Sequence, residues 1–558
     1  MADSQRSAGL GDWLWLLAVL LVGGAMIVTE ADRTGGTFDE AFYLETGLNR
    51  WRTGSTAKLM DVGTMPLPVD VQTLPLYLIE QVRGIDWNLT ADFREMLTIA
   101  RRGTLIFWAL ALIYGWRIAR SIGGPWAGRL AVLTLALEPT HLAHAALATT
   151  DVAITACILM FAYHYRAGRD GPWMNRVGLP ALLGGIAILA KASAIVFCPL
   201  CVLAIEFERR WLASVETAAW PRFKESIRAL LSPAFRHESA VIAGLALVLT
   251  CVYCGNDFEA HPKIVAAAYD MQPGTGRDIC VWLAGHARIF NNAFVGLWFQ
   301  IHHNMHGHGS FLVGEVSPRA VWYYFPVALS IKLPVAILMT PLILALVARR
   351  SLFNWPILAS LMLLIFSLNC RVQIGVRMQL PLIALACVGM CSALPSLPLR
   401  GVAGAWAATM SLWLGVAAVN NWPRHLSYIN ELYGGPEHGE ELVSDSNFDW
   451  GQGLPDLAAW AEKKGLSDVP VWYFGTDPQV LQPPLRLAPL HGFEITNGEQ
   501  LRHHVGARYL AVSTTISHGS YLQEPSWLLR RAAATPPVDR TRTFLIYDVD
   551  QLTGEPRP

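Results

Sequence analysis

The sequence predicts an α-helical polytopic membrane protein with about eleven transmembrane helices and a small C-terminal α/β soluble domain. Three observations lead there. Apolar stretches near membrane length recur through residues 1–420, while residues 421–558 change to short strand-like runs between proline- and glycine-rich turns. Only 15% of the 558 residues are charged against 53% hydrophobic, and the mean hydropathy is +0.34. A soluble enzyme of this size needs more charge to cover its surface. The 43 basic and 43 acidic residues cancel, so no bulk field points to nucleic acid.

In chain order, Trp13–Thr29 is the first span. One arginine precedes it and no small-residue cleavage site stands before Glu30, so it reads as retained rather than as a signal peptide. Further spans are expected at Thr104–Ile118, Trp126–Leu137, Leu147–Tyr165, Val177–Leu189, Ala192–Ile205 and Ala240–Cys254. The last are Trp322–Val347, Leu352–Leu368, Met378–Leu394 and Val402–Val419. With the N-terminus cytoplasmic, the inner connections carry Arg117 and Arg120, then Arg166, Arg169 and Arg176, then Arg209, Arg210, Arg222, Lys224 and Arg228. Arg349, Arg350 and Arg400 complete the set, as the positive-inside rule requires. The long outer loops are then 30–102 and 256–320, and the tail lies outside with them. That orientation puts the C-terminal domain on the extracytoplasmic side of the membrane.

In that domain Leu454–Lys464 reads as an amphipathic helix, and Val471–Phe474, Tyr509–Thr514 and Phe544–Val549 as strands. Eight of the nine cysteines fall in apolar runs and Cys280 in a polar loop. Buried inert thiols fit better than a disulfide framework or redox C-x-x-C pairs.

Chemistry belongs on the outer face. Asp39 and Glu40 are adjacent acids just outside the first span, followed by Phe42 and Tyr43. They fit a general base beside a sugar-stacking wall, or a plain helix N-terminus, about equally well. His141, His144 and Asp151 surround a break between apolar runs, and an acid opening a membrane helix is costly and usually functional, although an interfacial cap would look the same. His302, His303, His306 and His308 are dense enough to suggest zinc, but their spacing matches no closed site. Lys191, Lys332, Arg371 and Arg377 sit within or at the outer ends of spans, placed to grip a phosphate or to snorkel to headgroups.

These residues, taken in order, resemble the GT-C class of membrane glycosyltransferases, specifically bacterial relatives of the protein O-mannosyltransferases and of lipid A aminoarabinose transferase. The pieces are the Asp39–Glu40 pair, Arg101 before the second span, EPTHLAHAALATTDVAI, GGIAILAKASAIVFCPL and HGHGSFLVGEVSPRAVWYYFPVALSIKLP. VQIGVRMQLPLI is similar to the family's IGxRHxLP stretch, with Met378 where histidine is usual. YINELYGGPEHGEELVSDSNFDWGQGLPDL resembles the segment that opens the C-terminal domain in many bacterial members. The family's His-Pro-Pro-Leu element is missing, and QTLPLYLIE stands in the first outer loop instead.

The resemblance implies inverting transfer of a sugar from a polyprenyl phosphate to an acceptor hydroxyl or phosphate on a protein, lipid A, a glycolipid or a cell-wall polymer. Asp39 would accept the proton, Glu40 would assist, and Asp151 matches the second outer-loop acid. Arg101, Lys191 and Arg377 would stabilise the leaving phosphate. No metal is required by this scheme, though it leaves room for a divalent ion. Two other readings share the spans: a transporter or flippase of lipid-linked sugars, against which the absence of repeats and broken helices in the sequence speaks, and a non-catalytic scaffold. DSNFDWGQG, residues 445–453, reads as a fold-defining turn in preference to a ligand-facing loop.

Overall fold

The computed structural model describes residues 9–213, 218–257, 268–286, 291–397, 400–490, 493–518 and 526–554. Parts of the second outer loop, 258–267 and 287–290, lie outside the described residues.

Every expected span falls on a helix. In order these are Leu10–Ala31, Phe93–Gly123, Pro125–Leu137, Asp151–Gly168, Leu179–Ala190, Ala194–Ala213 and Pro233–Cys254. Then come the pair Tyr324–Lys332 and Val335–Val347, followed by Trp355–Ser367, Leu380–Ala393 and Arg400–Asn421. Among the described residues five helices are each long and apolar enough to cross a membrane, or six if the bent pair is one span. Pro125–Leu137, Met174–Ala190 and Trp355–Ser367 are apolar but shorter. Leu380–Ala393 lies at the centre, buried along its whole length and packed against Phe93–Gly123, Pro125–Leu137 and Trp355–Ser367.

One expectation is corrected. Trp322–Val347 is not a continuous span, because the chain bends by 109° between Lys332 and Val335. Pro334 explains the break: it lacks an N–H and drives Leu333 out of helical conformation, to ψ 137°. The sequence suggested no broken helix, and here there is one.

Basic residues meet acids at one end of the bundle. Arg129 Nε lies 2.8 Å from Asp12 Oδ1, Arg176 Nε 3.1 Å from Glu238 Oε2, and Arg209 Nη2 2.7 Å from Asp170 Oδ1. The outer segments gather at the other end. There the first outer loop is itself structured, with helices Glu40–Thr53 and Pro66–Arg83 packed on each other and on Phe93–Gly123.

The C-terminal sheet contains β3 (Val469–Trp472), β4 (Leu485–Leu487), β5 (Tyr509–Ser513), β6 (Asp539–Arg540) and β7 (Phe544–Asp548), while β1 (Ser310–Leu312) and β2 (Glu315–Ser317) form a separate hairpin. Its order is β4-β3-β5-β7-β6, with β3 parallel to β4 and β5, and β7 antiparallel to β5 and β6. Side chains alternate between two cores. Val469, Val471, Ala511, Phe544 and Ile546 face Leu454 and Leu457 of helix Leu454–Lys463, whereas Leu510, Val512, Leu545 and Tyr547 face Leu501 and Leu528 on the other side. Strands buried on both faces read as continuous apolar runs, which is why β5 and β7 stand out in the sequence.

This domain is seated on the membrane part. Lys332 Nζ donates to the carbonyls of Leu426 at 2.9 Å, Tyr428 at 2.6 Å and Asn447 at 2.6 Å. Gly36 N donates to Asp477 Oδ2 at 2.6 Å, and Phe38 N to the Trp450 carbonyl at 2.9 Å.

Candidate active site

Thr37 to Glu40 starts a helix. Glu40 turns inward and accepts from Thr37 N at 2.8 Å, Thr37 Oγ1 at 2.9 Å and Ala148 N at 2.7 Å. Arg101, from Phe93–Gly123, grips it with two parallel bonds, Nε to Oε1 at 2.8 Å and Nη2 to Oε2 at 2.7 Å. Both side chains are 0% exposed. Burial raises the Glu40 carboxyl's pKa, but the Arg101 guanidinium, with the Thr37 and Ala148 amides, brings it below the usual carboxylate range. Arg101 spends its remaining donors on carbonyls, Ala31 at 2.8 Å and Gly35 at 2.7 Å among them. Glu40 and Arg101 thus brace the first outer loop and do not line the cavity described next.

Asp39, one residue earlier, points the other way. It lines a cavity of about 800 Å3 at the end of the bundle that carries the C-terminal domain. Its Oδ2 accepts from Arg377 Nη1 at 2.9 Å. The same nitrogen is 3.7 Å from Asp151 Oδ2, and Asp151 Oδ1 accepts from Lys191 Nζ at 2.5 Å. A chain of alternating charge therefore runs Asp39, Arg377, Asp151, Lys191. Asp151 is fully buried at the start of its helix, behind the two cations, and only Asp39, Arg377 and Lys191 of the four line the cavity.

The positions follow from local structure. Lys191 sits at the break between Leu179–Ala190 and Ala194–Ala213, in extended conformation. Arg377 sits in a 3-10 turn, Val376–Gln379, that opens Leu380–Ala393. Its guanidinium carbon lies 4.0 Å over the Trp450 ring, and its Nε has no hydrogen-bond partner among the described residues. Met378, at the position where the resembling family carries histidine, puts its sulfur 3.6 Å from Lys191 Nζ.

The other sequence candidates are elsewhere. Lys332 is consumed by backbone carbonyls, and Arg371 Nη1 donates to the Met305 carbonyl at 2.9 Å. His141 Nδ1 lies 2.9 Å from Glu138 Oε2, and His144 is buried edge-on to Trp450. His303 and His308 do line the cavity, their Nε2 atoms 3.0 Å apart. Among the described residues, the group of acids and histidines close enough to share an ion is His438, Glu440 and Glu441, not the histidines at 302–308.

The sequence reading missed the C-terminal contribution. Asp445, Trp450, Trp472, Phe474 and Thr515 also line the cavity. The 445–453 segment is both a fold-defining turn and a cavity wall. Asn447 Oδ1 accepts from Val376 N at 2.8 Å, Thr514 Oγ1 donates to Asp449 Oδ2 at 3.1 Å, and Asp445 is a non-glycine residue at φ 55°. Burial pushes the Asp445 carboxyl up to about 7, with Arg377 opposing, and Asp449 up to about 6. The signal available in the sequence was a pair of acids and a tryptophan within six residues, in a segment flagged only by resemblance.

A multi-pass membrane protein with a cavity of paired acids and cations at one end of its bundle is the class that fold and site define. The chain is similar to the GT-C class of membrane glycosyltransferases, and residues 91–220 match the family model of dolichyl-phosphate-mannose-protein mannosyltransferases. That segment contains Arg101, Asp151 and Lys191, while Asp39 and Arg377 lie beyond it. Among solved structures, ArnT from Cupriavidus metallidurans bound to undecaprenyl phosphate aligns at 14% identity over 97% of this chain and 98% of that one, with TM-score 0.32. Its apo state aligns at 14% over 97% and 99%, with TM-score 0.31. The Archaeoglobus fulgidus oligosaccharyltransferase complex with zinc and sulfate aligns at 13% over 89% and 68%, with TM-score 0.36. No curated protein matches the chain significantly.

Proposed function

We propose that the protein is a glycosyltransferase that moves a sugar from a polyprenyl phosphate to an acceptor at the extracytoplasmic membrane face, by single displacement with inversion. The observation that carries this reading is the shared cavity: a carboxylate, Asp39, and two cations, Arg377 and Lys191, line one pocket. The ordered motifs and the family model over residues 91–220 support a lipid-phosphate donor.

Asp39 takes the proton of the acceptor hydroxyl as its oxygen attacks the anomeric carbon. The bond from that carbon to the phosphate oxygen breaks, and its electron pair leaves with the polyprenyl phosphate. Negative charge builds on the phosphate, where preorganised cations lower the barrier most. Arg377 lines the cavity and has five donors, so its contact with Asp39 leaves others for a phosphate. Lys191 adds a point charge, and Asp151 holds the two cations at one site without itself reaching the cavity. In this reading Arg101 and Glu40 act as a brace that sets where Asp39 projects.

The test is Asp39→Asn in the full-length protein, with transfer followed by mass spectrometry of extracytoplasmic glycolipids and glycoproteins in a deletion strain. Loss of a general base should slow transfer by about 10²–10⁴-fold, with expression and thermal unfolding unchanged. Wild-type transfer by the Asn variant would sink the assignment of Asp39. A deletion strain with unaltered envelope glycans would instead favour a transporter or scaffold.

A further inference from the structure

Asp445 has features that a turn residue does not need. It is a non-glycine residue in left-handed conformation, φ 55°, and its side chain is buried yet lines the cavity. Aspartate reaches that region more readily than most residues, so what marks Asp445 is a buried carboxyl on the cavity wall, held there by its surroundings. The surroundings here are firm. On one side Asp445 N donates to Thr515 Oγ1 at 3.0 Å. On the other, Ser446 Oγ donates to the Ile374 carbonyl, and Asn447 is held by Val376 N and by the carbonyl bond to Lys332. Gly375 permits this approach, since it lies at φ 139° and a Cβ there would meet Ser446 Oγ at 2.1 Å.

Asp445 faces the same groups as the proposed chemistry. Arg377, Asp39 and Asp449 act electrostatically on its carboxyl, and Arg377 and Asp39 line the same cavity. In the same cavity Trp472 and Phe474 add an aromatic wall, with Phe38 and Phe474 stacked at 5.3 Å between ring centroids. Trp450 is already occupied by the Arg377 guanidinium. An aromatic surface next to a carboxylate is the chemistry that recognises a sugar ring, whose C–H face packs on the ring and whose hydroxyls donate to the acid.

We propose that Asp445 is a specificity-determining residue that hydrogen-bonds a hydroxyl of the carrier-linked sugar, with Trp472 and Phe474 as the wall against which that sugar packs. The inference rests on the donor reading given above. If the phosphate is held by Arg377 and Lys191 and the base is Asp39, the transferred ring lies between them, and Asp445 is an acid from the C-terminal domain that faces both. The domain then completes the donor pocket.

The experiment compares two kinds of lipid on the full-length protein: undecaprenyl phosphate, and a panel of undecaprenyl phosphates carrying mannose, glucose, galactose, N-acetylglucosamine or arabinose. Binding is read in detergent or nanodiscs for wild type, Asp445→Asn and Asp445→Gly. Asn and Gly both tolerate the left-handed backbone, so neither should unfold the segment. Wild type is expected to bind one sugar-bearing lipid at least tenfold more tightly than undecaprenyl phosphate. Both variants are expected to lose about tenfold on that lipid, while undecaprenyl phosphate binds at least as well as before, because an anion beside Arg377 has gone. Equal binding of the sugar-bearing lipid by variants and wild type overturns the proposal. So does an equal loss on both lipids, or a wild type that gains nothing from any sugar. If wild type fails to bind undecaprenyl phosphate itself, the donor reading falls first and this inference with it.

Discussion

Asp39 and Glu40 are neighbours in the chain, yet their side chains end in different surroundings. A helical step turns successive residues by about 100°, so at a helix start one acid faces inward and the next outward. Composition shows two acids at a membrane surface. It does not show that Arg101, 61 positions away, claims Glu40. The pair Asp39 and Arg377 is separated by 338 positions, and no local pattern reports such a meeting. What is legible at this scale is residue type and membrane depth: Asp151 and Lys191 were singled out as costly charges at span ends, and they pair. Glu40→Gln tests the division of labour. It leaves the buried Arg101 charge without its counter-ion, so stability should fall by about 3–5 kcal/mol. The change should appear as a clear drop in apparent unfolding temperature, whereas Asp39→Asn, 26% exposed and leaving Arg377 its contact with Asp151, should barely move it. Equal melting of Glu40→Gln and wild type would show that the pair is not a brace.

At the scale of elements, hydrophobic runs located a helix or helix pair for each expected span, although among the described residues only five or six are long and apolar enough to cross a membrane, and two-sided burial located β3, β5 and β7. The pattern failed where the element was short or broken. β4 and β6 have three and two residues, too few to show a period. The break at Leu333–Pro334 was hidden inside an apolar run, although the proline was in view. That break matters because it delivers Lys332 to three carbonyls of the segment that opens the C-terminal domain. Lys332→Met keeps the side chain's length and removes the donors. Each carbonyl left buried without a partner costs about 1–3 kcal/mol, so the variant should melt lower. It should also lose part of its transfer activity, because Asn447, and through it Asp445 and Trp450, loses an anchor. Limited proteolysis after residue 421 should accelerate in parallel. If melting, proteolysis and transfer all match wild type, this contact does not hold the domain in place.

For the whole molecule, the physical claim is one of sidedness. Loops that the positive-inside rule puts on one face meet each other, and the loops assigned to the opposite face meet around the cavity. Asp39, Lys191, Arg377 and the domain after residue 421 come from four separate connections, all on the proposed outer side. An enzyme taking a lipid-borne donor needs this arrangement, because the base, the phosphate clamp and the acceptor must share one water-accessible face of the bilayer. Two exposed aspartates report the orientation. Asp86 lies in the first outer loop with its side chain 87% exposed, and Asp170 in an inner connection with its side chain 88% exposed. In a background with Cys280 replaced by serine, Asp86→Cys in intact spheroplasts should react with a membrane-impermeant maleimide. Asp170→Cys should react only after the membrane is permeabilised. Both substitutions remove only surface ion pairs, which contribute about 0–1 kcal/mol, so folding should be unaffected. Labelling in the reverse pattern would put Asp39 and its cations in the cytoplasm, where a periplasmic acceptor never arrives. The cavity would then have to serve an acceptor inside the cell or no transfer at all.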